Sequence, residues 1–107
     1  NISIIKDLVS SLDNFDLAIT ALEKQGPVEK GIYMIRSQIA DTLKRNGVEV
    51  MEAEAGGIFN PAIQEAVGET ESDYSPGAIA EVLEKGYSLN GRILRPVRVK
   101  LSKGPNK

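Results

Sequence analysis

The 107-residue sequence contains neither cysteine nor histidine. The first absence excludes disulfides, thiolate nucleophiles and thiolate metal sites within the chain, and it fits a reducing compartment. The second removes the side chain most used for general acid–base catalysis. No apolar run approaches the roughly 18 residues of a transmembrane helix, so no membrane association is expected. No secretory signal peptide is visible, and the chain opens on Asn1 rather than methionine, which marks it as an expected fragment or processed chain. Phosphate-cradling glycine loops, EF-hand spacings, internal repeats and low-complexity segments are also missing. Carboxylates remain: Glu49, Glu52 and Glu54, then Glu69, Glu71 and Asp73. Such groups can carry acid–base chemistry or hold a divalent cation. Solvated loops and strand faces account for them well, so the chain is expected to be no enzyme and to need no cofactor or metal.

What is present is an ordinary soluble composition, 41% apolar and 26% charged, which separates the chain from disordered sequences. The net charge of −2 conceals a polarity along the chain. Residues 1–46 are neutral, residues 47–91 carry nine acidic side chains against Lys85 alone, and residues 92–107 carry six basic ones and no acid. Two readings stay open: an electrostatically directed contact, or acidic and basic strands that neutralise each other within one sheet.

Residues 3–24 read as a helix, with Ser3 as a candidate N-cap. Its apolar residues Ile5, Leu8, Leu12, Phe15, Ile19 and Leu22 alternate in steps of three and four, the heptad spacing of knobs-into-holes packing. Leu17 lies off that seam and suggests a second contact surface. Gln25-Gly26-Pro27 breaks the helix, and residues 27–46 read as another, with Val28, Ile32, Ile35, Ile39 and Leu43 along one stripe and Asn46-Gly47 as its left-handed cap. So short a break makes the two helices an antiparallel hairpin. Two helices with one stripe each are under-buried, and a second copy would complete a four-helix bundle. The expected dimer interface is Ile5, Leu8, Leu12, Phe15, Ile19, Leu22, Ile32, Ile35 and Ile39. Gly31, inside the second helix, reads either as a tolerated weakness or as a place of close backbone approach.

From Gly47 the period changes. Val48 and Val50 alternate with Glu49, Phe59-Asn60-Pro61 opens a turn, Ile63, Glu65 and Val67 alternate weakly, and Glu69 to Ser75 reads as an acidic connection. Residues 78–89 read as one strand in which Gly86 marks a bulge or a close backbone approach. Asn90-Gly91 is the strongest short signal for a two-residue type I′ hairpin turn. Pro96 marks an edge or a strand start, Val97, Val99 and Leu101 alternate with Arg98, Lys100 and Ser102, and Lys103 to Lys107 read as a frayed tail. The expected fold class is α+β: a helical hairpin over 1–46, a small, mostly antiparallel β-domain over 47–103, and a tail over 104–107.

The hairpin around Asn90-Gly91 carries the candidate functional surface. Arg92, Arg95 and Arg98 follow the turn, and Leu83 and Leu89 precede it. Arginine beside apolar residues suits a protein interface, because its fork pairs carboxylates and its stem packs on apolar surface. A phosphate track is the competing reading, but Tyr87 is the only aromatic nearby and the chain is acidic overall, so no nucleic-acid partner is expected.

The run Lys85-Gly-Tyr-Ser-Leu-Asn-Gly-Arg-Ile-Leu-Arg-Pro-Val-Arg-Val-Lys100 closely resembles the C-terminal hallmark of GrpE, the nucleotide exchange factor of DnaK-type chaperones. Phe59-Asn-Pro-Ala-Ile-Gln-Glu-Ala-Val67 is similar to the family's Phe-Asp-Pro-x-x-His-Glu-Ala-Val segment. Leu12-Asp-Asn-Phe-Asp16 and the stretch from Gly31 to Gly47-Val48-Glu49 resemble its bundle helices. The resemblance implies a homodimeric four-helix bundle with a β-domain on each subunit and without the family's long N-terminal helix. It implies a co-chaperone of stress response and protein folding, acting in a bacterial cytoplasm or, alternatively, a mitochondrial matrix. In that picture the β-domain wedges open the chaperone's nucleotide-binding cleft and ADP leaves. Phe59, Pro61, Leu83, Arg92 and Leu101 would face the chaperone, with Arg92 as the charged anchor and Arg95 as a secondary candidate. Gly31 would pack closely in the bundle. Asn60 and Gln64 depart from the family's Asp and His, keeping hydrogen-bonding capacity but losing ionisation. A dimeric interaction domain with another partner is the alternative reading, and a nucleic-acid binder stands behind it.

Overall fold

The structure is a computed structural model that describes residues 2–106. The chain divides between Val48 and Glu49 into two compact units. The first holds helices α1 (Ile2–Glu23) and α2 (Lys30–Arg45). The second holds β1 (Val48–Met51, all but its first residue), β2 (Gln64–Thr70), β3 (Ile79–Glu84), β4 (Gly86–Leu89), β5 (Arg92–Arg95) and β6 (Val97–Ser102). No helix among the described residues is long and apolar enough to cross a membrane.

In the helical unit two polar links pin α1 to α2. The Arg36 fork grips the Asp16 carboxylate through Nε–Oδ1 at 2.8 Å and Nη2–Oδ2 at 3.0 Å, and the Tyr33 hydroxyl donates to Glu23 Oε2 at 2.6 Å. That second bond, which favours the protonated phenol, holds Tyr33 above its ordinary pKa. Pairing 16 with 36 and 23 with 33 means that the helices run in opposite directions. Val9, Leu12, Ile19 and Leu43 are the buried residues of the pair. The C-terminal end of α2 is closed as its residues dictate: Asn46 N–H and Asn46 Nδ2 both reach Thr42 O, and Gly47 turns left-handed at φ 91°.

Three expectations about this unit change. Helix α2 starts at Lys30, not at Pro27, and Glu29 is extended at φ −54°, ψ 135°. Antiparallel helix axes stand about 8–10 Å apart, and residues 27–29 supply the chain that crosses the gap. Ser3 lies inside α1 and is not its cap. The apolar face of α1 is also wider than one seam. Val9 is buried, whereas Leu8 and Leu22 are exposed, so α2 covers one flank of the face and leaves the other open. Nothing comes within 4 Å of the position a Gly31 Cβ would occupy, so no close approach in this chain requires that glycine.

The β-unit is built on one long hairpin that changes sheets halfway. Its base pairs β3 with β6, antiparallel, from Ile79 opposite Leu101 to Glu84 opposite Arg98. Its tip pairs β4 with β5, from Tyr87 opposite Arg95 to Leu89 opposite Arg92. The base lies in a sheet of order β2-β6-β3, the tip in one of order β1-β4-β5. The single strand expected over 78–89 is therefore two, parted at Lys85. Gly86 is there because backbone passes close by: a Cβ would stand 2.7 Å from Val97 N and 2.9 Å from Pro96 C. Pro96, which has no N–H to give a ladder, sits at the opposite break between β5 and β6. Asn90 (φ 49°) and Gly91 (φ 85°) form the two-residue turn with positive φ that a type I′ hairpin needs.

The pairing is not antiparallel throughout. Strand β2 runs parallel to β6, and it extends through Glu69 and Thr70, which read as loop from composition. The core is Ile79, Val97 and Val99, with Met51, Ala53, Phe59, Val82 and Leu101 packed against it.

The C-terminal segment is tied down, not frayed, through Gly104. Ser102 is fully buried, and its hydroxyl donates to Tyr74 O at 2.8 Å while accepting from Gly104 N at 2.9 Å. Since that oxygen's one proton is spent on Tyr74, Ser72 Oγ is the donor in its contact with Ser102 Oγ. Lys103 N bonds Thr70 O, and Ser72 N bonds Gly104 O. Ser102→Ala takes the hydroxyl from buried Gly104 and from the part-buried Ser72 and Tyr74 contacts, and is expected to cost about 1–3 kcal/mol, read as a lower urea midpoint for the β-unit. An unchanged midpoint would show that solvent or neighbours satisfy them.

Candidate functional site

The hairpin tip presents Arg92 by construction. The tight turn fixes where β5 begins, and Leu89 faces Arg92 across it. Arg92 is exposed and makes no ion pair or side-chain hydrogen bond among the described residues. The arginines downstream are occupied. Arg95 Nη1 lies 3.0 Å from Glu84 Oε1, and Arg98 Nε lies 3.3 Å from Glu65 Oε1 with its Nη1 3.8 Å from Glu84 Oε2. Lys85 reaches Glu52 at 3.4 Å. Three acids, Glu52, Glu65 and Glu84, are thus paired with Lys85, Arg95 and Arg98, and among the described arginines that follow the turn Arg92 is the one left over.

The other candidates fall into two groups. Phe59 and Leu101 pack against the same core, half-buried, so each has only part of its side chain to offer. Leu83 is pushed out by a register shift between Val82 and Glu84: two steps on β3 oppose one on β6, and Leu83 is the extra residue, exposed. Pro61 is exposed in the turn that enters β2. That turn is closed by its own side chains. Asn60 Oδ1 accepts from Ala62 N at 3.0 Å, and Gln64 Oε1 accepts from Asn60 N at 2.8 Å. Both residues act as uncharged acceptors, so the turn keeps its hydrogen bonds without an ionisable group.

Arg92 lies at the hairpin tip and Leu101 at its base, in different sheets. An unpaired guanidinium and half-buried apolar side chains spread over both sheets suit a macromolecular partner better than a small ligand. One member was passed over in the sequence. Ile58 is 91% exposed, on a loop held rigid by Gly56 N to Ile79 O at 2.7 Å and Ile79 N to Gly57 O at 3.0 Å. The available signal was an isoleucine belonging to no helical or strand period between Gly56-Gly57 and Phe59.

In the helical unit, the residues named for self-association separate by exposure. Leu12 and Ile19 are already buried within the chain and have almost no surface left for a second copy. Ile5, Phe15, Ile32 and Ile39 are half-buried, while Leu8, Leu22 and Ile35 are exposed. Ile4 and Leu17 are exposed as well.

The sequence model of the GrpE family matches residues 1–103. The chain is 41% identical over 104 residues to Protein GrpE of Geobacillus thermodenitrificans, covering 94% of this chain and 47% of that protein. It is 36% identical over 108 residues to Protein GrpE of Nitratiruptor sp., covering 92% and 60%, and 39% identical over 106 residues to that of Alkaliphilus oremlandii, covering 96% and 56%. The chain spans about half the length of these relatives. A match that runs through both helices, the Phe59–Pro61 turn and the Arg92 hairpin places the chain in the GrpE family.

Proposed function

We propose that this chain is the bundle and β-domain portion of a nucleotide exchange factor for a DnaK-type chaperone, and that it catalyses no reaction of its own. The observation that carries this reading is the unpaired Arg92 at the tip of a hairpin whose neighbouring arginines are already neutralised, in a chain matched to GrpE from residue 1 to 103. Paired Arg95 and Arg98 favour a discrete protein contact over a continuous phosphate track.

The physical basis is differential binding. A factor that contacts the open, nucleotide-free chaperone more strongly than the closed ADP-bound one shifts the population toward the open state, and ADP leaves. By linkage, nucleotide weakens the factor's own binding by the same factor. Arg92 supplies a charge-assisted bidentate contact, and Leu83, Pro61, Phe59 and Leu101 supply apolar area. The helical unit makes a homodimer through the exposed flank of its apolar face, and the compartment is that of a bacterial cytoplasm.

The test loads a DnaK-type chaperone with fluorescent ADP and chases it with unlabelled nucleotide. Micromolar amounts of this chain are expected to speed the loss of fluorescence. An unchanged rate at that concentration, with the chain folded, overturns the reading.

A further inference from the structure

Arg95 was a secondary candidate for touching a partner, but its surroundings assign it a different task. It lies in β5, in the tip sheet, and its guanidinium carbon stands 5.0 Å from the centroid of the Tyr87 ring, its cross-strand partner on β4. Its Nε donates to Lys85 O at 2.9 Å, and its Nη1 meets Glu84, the last residue of β3 in the base sheet, at 3.0 Å. One side chain therefore engages the tip, the break and the base of the hairpin at once.

The break is short of one backbone donor. Lys85 belongs to neither strand, and Pro96 on the returning side has no N–H to donate. Arg95 Nε supplies a donor to the Lys85 carbonyl in this interval. Gly86 lets the two chain segments cross at a separation that any Cβ would forbid. Glu84 is itself bracketed by Arg98, which continues to Glu65 on β2, so the Arg95 contact is anchored across the whole base sheet. An isolated exposed ion pair contributes little. Here a planar fork is held by three partners of different kinds, with the arginine side chain 21% exposed, and lysine lacks the geometry to satisfy them together.

We infer that Arg95 is a positioning residue: it fixes the angle between the tip sheet and the base sheet, and so sets where Arg92 stands relative to Leu83 and Leu101. This inference rests on the proposed function for its consequence in ADP release, but the joint itself is a property of the chain alone. Two measurements separate the two.

The first needs no chaperone. In Arg95→Ala, the amides of Tyr87–Arg95 are expected to exchange hydrogen about ten-fold faster or more, while those of Val97–Ser102 keep their wild-type protection. Acceleration of both segments alike would make Arg95 a general stabiliser, and acceleration of neither would make it dispensable; either overturns the inference.

The second uses the ADP-release assay on Arg92→Ala, Arg95→Ala and the double variant. Arg95→Ala is expected to lower the acceleration about ten-fold, and to lower it less than two-fold further in the Arg92→Ala background, because a positioning residue has nothing left to position. Arg95→Lys and Glu84→Gln, milder changes that keep the hairpin foldable, are expected to give intermediate losses in the same order in both measurements. Effects of Arg92→Ala and Arg95→Ala that multiply, or an Arg95→Ala chain with full activity and a loosened tip, overturn the positioning role. A wild-type chain that leaves ADP release unchanged would sink the proposed function, and the joint would then stand or fall on the amide measurement.

Discussion

Arg92→Ala is expected to reduce the acceleration of ADP release by about 30-fold, the kinetic equivalent of roughly 2 kcal/mol, which is the loss associated with an arginine hot spot. An exposed arginine that holds no carboxylate, carbonyl or ring among the described residues contributes almost nothing to folding, so its removal should leave thermal stability and oligomeric state unchanged. Whatever is lost must then be lost in the complex. Arg92→Lys separates charge from geometry: it keeps attraction to a carboxylate but loses the fork, and it should fall between wild type and alanine. Equal activity of the lysine variant would reduce the role to non-specific charge. A variant that unfolds, or a dimer that falls apart, would place Arg92 in the structural core instead and contradict its exposed position.

How much of this was legible in the residues varies by length scale. The type I′ turn was written in Asn90-Gly91, since few other pairs tolerate two successive positive φ angles. The closure of α2 was written in Asn46-Gly47, where Gly47 alone takes the left-handed φ of 91°. The core alternation was readable at Val97 and Val99, and it failed at Leu101 and Ser102. There the register shifts, and a serine takes the fully buried place because a network of loop hydrogen bonds needs an acceptor inside. Periodicity cannot announce such a residue, because its partners Tyr74 and Gly104 belong to segments without a period.

The sheet change at Lys85 was half-legible. Gly86 signalled close backbone approach, and Pro96 signalled a missing donor, but only the fold shows that the two signals mark one crossing. The parallel pairing of β2 with β6 was not readable, since β2 is exposed along most of its length and the weak alternation around it does not betray its register. Among site residues, composition identified an arginine-rich hairpin without separating Arg92, left unpaired, from Arg95 and Arg98, bound to Glu84 and Glu65. That separation depends on which acids the topology brings alongside, and the acids lie more than ten residues away in the chain.

The widened apolar face of α1 leads to the second large effect. Leu8 (42% exposed) and Ile35 (48% exposed) lie on the part of the hairpin that its own two helices leave uncovered, whereas Leu12 (2% exposed) lies between them. Leu8→Asp or Ile35→Asp is therefore expected to leave each hairpin folded and to abolish the proposed dimer at micromolar concentration. In a two-fold interface every substitution occurs twice, so two unpaired carboxylates must be desolvated per dimer. At a few kcal/mol each, the dissociation constant should rise by at least about a thousand-fold, enough to be read directly by sedimentation. Leu12→Asp should behave differently: the charge falls inside the protomer and melts the hairpin itself, seen as lost helical signal at any concentration. The contrast is what makes the test sharp, because a heptad seam used only within the chain would give the opposite ranking. If Leu8→Asp sediments as wild type, the exposed flank of α1 is not where two copies meet.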